Sequence, residues 1–287
     1  MISISAIADK GGKAMDLNQF TCEKLSDHVY RIIDALEVAS YLVIGTKAAC
    51  LIDTCPGAGN IKEYVESITS LPLTVVVSHA HMDHCGGAGF FDKVYMKKSD
   101  MTSLVKHKSH SFRAEFFNEH LGGLSLTPED FLPVPDEVFV DFPDNTVLDL
   151  GDVTVELLPF PGHTPGMTCP LIPEDRILII GDACDDNVLL FDQFASTVSE
   201  YKRNLQEMIG RKDSYDKILG NHGNFEYPME LLENVLESCD LILEHKDAHL
   251  AVHMFGEDLY SAHAIKEDGM RVDGKPGNVL YADDKVC

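Results

Sequence analysis

The apolar run Val75-Val76-Val77-Ser78 stops on His79-Ala80-His81-Met82-Asp83-His84, and this junction constrains the chain more than any other stretch. The run reads as a buried strand, and the turn after it must hold three imidazoles and a carboxylate. Residues 79 and 81 share one side of an extended segment, and a turn can bring Asp83 and His84 back toward them. Imidazole nitrogen and carboxylate oxygen are the usual ligands of zinc and other first-row metals at hydrolytic sites. Three of the chain's 13 histidines fall within these six residues, too dense a cluster for an ordinary polar loop.

The same kind of junction recurs. His163 lies in Phe160-Pro161-Gly162-His163-Thr164-Pro165-Gly166, directly after the strand-like Val153–Pro159. Its prolines and glycines fix a tight loop, a sensible way to hold one ligand rigidly. Asp182 ends the apolar run Ile177–Gly181, and His222 sits beside Gly223 after Ile218-Leu219-Gly220-Asn221. These five histidines and two aspartates exceed what one tetrahedral ion needs, so two ions are expected. One carboxylate at a strand tip can bridge two cations about 3.5 to 4 Å apart.

Further strand-like runs are Val29–Ile33, Tyr41–Ile44, Ala49–Ile52 and Val94–Met96, with helical patterns over Gly59–Thr69, Ser199–Ile209 and Tyr227–Leu243. This mixture predicts a layered α/β or α+β domain spanning 1–287. Segment 97–144 differs from its surroundings and reads as an inserted helix and loop, lid-like over the site. From Lys93 to Arg113 there are six basic residues against Asp100 alone, a local +5 that is either a solvated helix face or an attractor for an anionic substrate. The apolar Val188–Phe194 and the aromatic Phe112–Phe117 would form substrate walls through Phe112, Phe117, Phe191 and Phe194. The β-like runs Leu250–Phe255 and Asn278–Tyr281, near the C-terminus, would complete the second sheet.

Composition narrows the partners. The formal charge is −24, from 47 acids against 23 Lys plus Arg, which opposes general binding to nucleic acid or anionic membrane and leaves a small-molecule substrate as the expected partner. No run approaches the roughly 18 to 20 apolar residues of a membrane span. Met1–Lys13 lacks the basic start and apolar core of a secretory signal, and the eight cysteines show no framework spacing, which together predict a cytoplasmic protein with reduced thiols. Cys55, Cys85 and Cys184 each lie within two residues of a candidate site position, as packing thiols or as soft ligands.

The order HxHxDH, then His163, Asp182 and His222, resembles the metallo-β-lactamase superfamily over roughly residues 25 to 245. The resemblance implies an α+β fold, a four-layer αββα sandwich with the ligands on loops at one sheet edge. It implies that His79, His81 and His163 bind a first ion, that Asp83, His84 and His222 bind a second, and that Asp182 bridges. Leu51-Ile52-Asp53-Thr54 matches the superfamily's early strand-end motif, in which Asp53 would hold a ligand from behind. The cofactor implied is two divalent ions, zinc foremost, with iron or manganese compatible. The activity implied is that of a metal-dependent hydrolase: a hydroxide shared by the ions attacks a small ester, thioester or lactone, with Asp83 and Asp182 orienting it. Alternatives within the resemblance are a phosphodiesterase or phosphoesterase and an iron-dependent thiol or persulfide dioxygenase. A metal-binding sensor without turnover is the non-enzyme alternative. The bridging Asp182 argues against a true β-lactamase, and the absence of Lys or Arg between Asp182 and Lys202 argues against a glutathione thioester.

Overall fold

The computed structural model describes residues 16–121 and 124–287. Met1–Lys13 lies outside the described residues. By internal contacts the chain divides into two compact units: one runs through Leu157 and includes Ile172–Asp175, and the other comprises Leu158–Leu171 and Arg176–Cys287.

The first unit is built on a seven-stranded sheet in the order Thr21–Lys24, Val29–Ile33, Ala39–Ile44, Ala49–Ile52, Leu73–Val76, Val94–Tyr95 and Phe139–Val140. The first four strands pair antiparallel, and the remaining pairings are parallel. Ala39–Ile44 and Ala49–Ile52 are almost wholly buried, as their predominantly apolar sequence requires. Helix Ile61–Ile68 crosses between two of the parallel strands, with Ile61 and Val65 on its buried face and Asn60 capping its start. Because Ala49–Ile52 and Leu73–Val76 are parallel neighbours, the loops that follow them open at the same sheet end. Ligand sites of open parallel sheets lie there.

Segment 97–144 contributes two helices, Met101–His107 and His110–His120, and the edge strand Phe139–Val140. Three of its six basic residues (counted from Lys93) are engaged within the fold. Lys97 pairs with Asp144 at 2.7 Å, Lys108 with Asp136 at 2.6 Å, and Arg113 is fully buried.

The second unit repeats the strand-end logic. Its strands Glu226–Tyr227, Lys217–Leu219, Ile177–Ile179 and Thr168–Ile172 lie side by side in that order in one sheet. Ile177–Ile179 and Lys217–Leu219 pair parallel, Ile179 opposite Leu219, so the turns carrying Asp182 and His222 emerge side by side. Helices Val198–Ile209 and Leu231–Leu243 pack on its core through Tyr201, Leu205, Leu231 and Val235. The expectation that the C-terminal runs complete the second sheet is corrected. Leu250–Met254, Glu257–Ser261 and Val279–Tyr281 join Val188–Leu190 in a separate four-stranded sheet. No helix among the described residues is long and apolar enough to cross a membrane.

Candidate metal centre

In the first unit the ligand turn begins where the parallel strand ends. Its backbone is extended at His81 and then closes into the one-turn helix Met82–Cys85. His79 and His84 are fully buried, and His81 and Asp83 are half-buried. Behind them stands Asp53, fully buried and in the left-handed region at φ 64°, a conformation tolerated better by Asp than by most residues. Asp53 accepts from the Ser78 amide at 2.6 Å, the Ser78 hydroxyl at 3.0 Å and His84 Nδ1 at 2.9 Å.

A carboxylate offers only acceptors, so His84 carries its proton on Nδ1 and leaves the lone pair on Nε2. The Ser78 hydroxyl, its proton given to Asp53, accepts in turn from His79 Nδ1 at 3.0 Å. One buried carboxylate thus fixes the tautomer of two imidazoles, the arrangement that makes a histidine a good metal ligand. His84 Nε2 stands 3.5 Å from Asp83 Oδ2. Two ligand atoms on one tetrahedral ion are about 3.3 Å apart when each bond is about 2.05 Å. The donor set therefore suits an ion better than it suits a hydrogen bond.

The second unit presents three more donors. His163 Nδ1 donates to the Leu189 carbonyl at 3.0 Å, which again leaves Nε2 as the base. Asp182 directs Oδ2 to His163 Nε2 at 3.9 Å and Oδ1 to His222 Nε2 at 3.5 Å. One carboxylate that divides its oxygens between two imidazoles is what a bridging ligand requires. Gly181 permits this approach: φ is +49°, and a Cβ there would lie 2.4 Å from Asn221 Oδ1.

Several supporting residues carry no signal in the sequence. Tyr201 reads as an ordinary apolar helix position, yet its hydroxyl donates to the Ala183 carbonyl at 2.7 Å, and its ring fills the space beside Gly162. It therefore holds both the Asp182 turn and the His163 loop. In the first unit, Asp100, His107 and Arg113 all contact the ligand turn. Asp186, four residues beyond Asp182, has its carboxyl pushed up to about 6 by burial first and then by Asp185.

The aromatic walls need correction in part. Phe117 is fully buried among Leu36, Met82, Ala114 and Phe131, so it is core and cannot line a substrate path. Phe112, Phe191 and Phe194 are only partly buried, Phe112 against the same cluster as Phe117, and Phe191 stacks on Phe255 with ring centres 6.3 Å apart. None of the eight cysteines forms a disulfide. Cys55, Cys85 and Cys184 are buried, and burial raises each thiol, as befits packing groups.

The model of the metallo-beta-lactamase superfamily matches residues 33–215. Human acyl-coenzyme A thioesterase MBLAC2 is 25% identical over 215 residues, covering 64% of this chain and 72% of the relative. The Gallus gallus protein of the same name is 24% identical over 208 residues, with the same coverages. Among solved structures, a metallo-beta-lactamase from Pontibacter korlensis superposes with a TM-score of 0.57 at 18% identity, covering 77% of this chain and 99% of the other. The stereoselective inverting sec-alkylsulfatase Pisa1 from Pseudomonas sp. gives 0.60 at 15% identity, covering 80% of this chain and 43% of the other. At these identities the structures bear on the fold alone, and that fold is the α+β one expected.

Proposed function

The chain belongs to the metallo-β-lactamase superfamily and is a hydrolase of that fold, and from this premise we propose that it uses two divalent metal ions to hydrolyse a small thioester, with esters and lactones as the neighbouring classes. In this reading, as membership of the family implies, His79, His81 and His163 hold one ion, Asp83, His84 and His222 hold the other, and Asp182 bridges. The observation that carries the two-ion reading is the Asp182 carboxylate, with one oxygen toward His163 and the other toward His222. The thioester is placed first because the MBLAC2 relatives are named acyl-coenzyme A thioesterases.

Bound there, two ions would bring a water's pKa near neutrality and polarise the acyl oxygen. The chain's residues supply the rest. Asp83 and Asp182 orient that water and take up its proton, while the Nδ1 partners of His79, His84 and His163 keep the three rings from turning. The C–S bond breaks, water provides the new C–O bond, and its proton leaves with the thiol. No serine or cysteine nucleophile is required. Segment 97–144 and the aromatic side chains of Phe112, Phe191 and Phe194 remain the places to seek substrate contacts.

The pairing of Lys97 and Lys108 and the burial of Arg113 place a phosphoester second to the thioester. Metal-loaded protein assayed against acyl thioesters, carboxyl esters, lactones and phosphodiesters tests the proposal. Turnover of thioesters abolished by Asp182→Asn supports it; turnover of phosphodiesters alone refutes it.

A further inference from the structure

Resting on the two-ion reading, we propose that His107, in segment 97–144, is a positioning residue that holds His81 in its ligating orientation, so that the segment braces the ligand turn from behind its first helical residue. The helix Met82–Cys85 is four residues long and cannot maintain its own direction. Its start is also exposed to a specific cost, because the first amide groups of any helix lack partners within it. The Met82 amide donates to His107 Nδ1 at 3.3 Å, so an imidazole 25 residues downstream caps the helix. That acceptor role puts the His107 proton on Nε2.

The same ring lies on His81. The two ring centres are 4.3 Å apart with planes 29° from parallel. Phe112 meets the His107 ring edge-on at 5.5 Å, and Lys106 sits over Phe112 at 4.7 Å. His81 is the half-buried member of the three imidazoles in the turn, whereas burial helps to fix His79 and His84. A stacked partner backed by a second aromatic ring therefore restricts the least buried of the turn's three imidazoles.

His107 does not act alone. The fully buried Asp100 accepts from the Ala80 amide at 3.0 Å. Arg113 donates to the carbonyls of Gly86 at 3.2 Å, Pro56 at 3.0 Å and Leu132 at 2.6 Å. Burial draws its guanidinium down to about 10, so it remains charged at neutral pH and its donors stay available. The turn is thus gripped at residues 80, 82 and 86, all from one segment. Of these grips, the one made by His107 is directed at a ligand side chain.

The test is metal affinity, measured by competition with a chromogenic chelator on metal-free protein, with the cobalt absorption spectrum and the urea midpoint of the metal-free chain alongside. His107→Ala should lower the affinity for one of two ions about 10- to 100-fold, the usual effect of losing a ligand's outer partner. The second ion should stay near wild type, while the metal-free midpoint should fall in His107→Ala, which orphans the Met82 amide. His107→Gln can still accept from the Met82 amide but offers no ring, and should fall between. Wild-type affinity in His107→Ala, or equal loss of both ions in His107→Gln, overturns the inference. A wild-type chain that binds no divalent ion removes the two-ion reading and this inference with it. Two ions bound alike by wild type and both variants remove this inference alone.

Discussion

Replacing Asp53 by asparagine removes one charge and changes one atom, and the geometry makes its consequence calculable. Asp53 Oδ1 accepts from the Ser78 amide, while Oδ2 accepts from both the Ser78 hydroxyl and His84 Nδ1. An asparagine that keeps its oxygen at the Ser78 amide turns its NH2 toward His84, which must then accept through Nδ1 and carry its proton on Nε2. The Ser78 hydroxyl, now receiving a proton from the amide, gives its own to His79, and the same inversion reaches that ring. The opposite amide orientation sets two donors face to face at Ser78. Either way a buried charge-assisted bond is lost, worth roughly 1.5 to 3 kcal/mol. At about 1.4 kcal/mol per decade this is a 10- to 100-fold loss of metal affinity, in both ligand sets. Ser78→Ala breaks only the His79 limb and should weaken one set. Zinc competition titrations on metal-free protein read both effects. Wild-type affinity for both ions in Asp53→Asn would disprove the tautomer coupling.

Other outcomes follow from single contacts. Tyr201→Phe orphans the buried Ala183 carbonyl and should cost about 1 to 3 kcal/mol in urea unfolding; no change would deny that the hydroxyl anchors the Asp182 turn. Phe117→Ala empties a fully buried site and should cost about 3 to 5 kcal/mol while leaving KM unchanged, whereas a raised KM at full stability would restore it as a substrate wall. His28 titrates above its usual value, chiefly through its hydrogen bond to Asp175. A raised histidine pKa stabilises fully below the unfolded value near 6.5 and loses that contribution as pH rises through the folded value. The stability gap between wild type and His28→Asn should therefore be larger at pH 6 than at pH 9, and a gap independent of pH would exclude the pair as its source.

The junctions that carry the candidate ligands are legible because each ends an apolar strand, and Val29–Ile33 and Ala49–Ile52 form strands with the bounds their sequence predicts. Parallel pairing then brings neighbouring strand ends together, which periodicity alone does not state. The residues that support the ligands are not legible. Asp100, His107 and Arg113 sit on short helices with no local sign of their targets, which lie 20 to 27 residues earlier for Ala80, Met82 and Gly86. The basic run misleads for the same reason: its compensating acids, Asp136 and Asp144, stand 28 and 47 residues downstream of Lys108 and Lys97. The separate C-terminal sheet depends on Val188–Leu190 pairing with Val279–Tyr281, a contact far beyond any local pattern.

Hydrolysis of an acyl thioester by two divalent ions, held by the histidine and aspartate sets, is open to a direct check. Metal analysis of protein equilibrated with zinc and freed of excess, combined with thioester turnover before and after chelation, addresses it in one preparation. Two ions per chain are expected, with turnover lost on chelation and restored by adding zinc. Turnover that persists in metal-free protein, or a chain that retains no ion, would contradict the two-ion thioesterase reading.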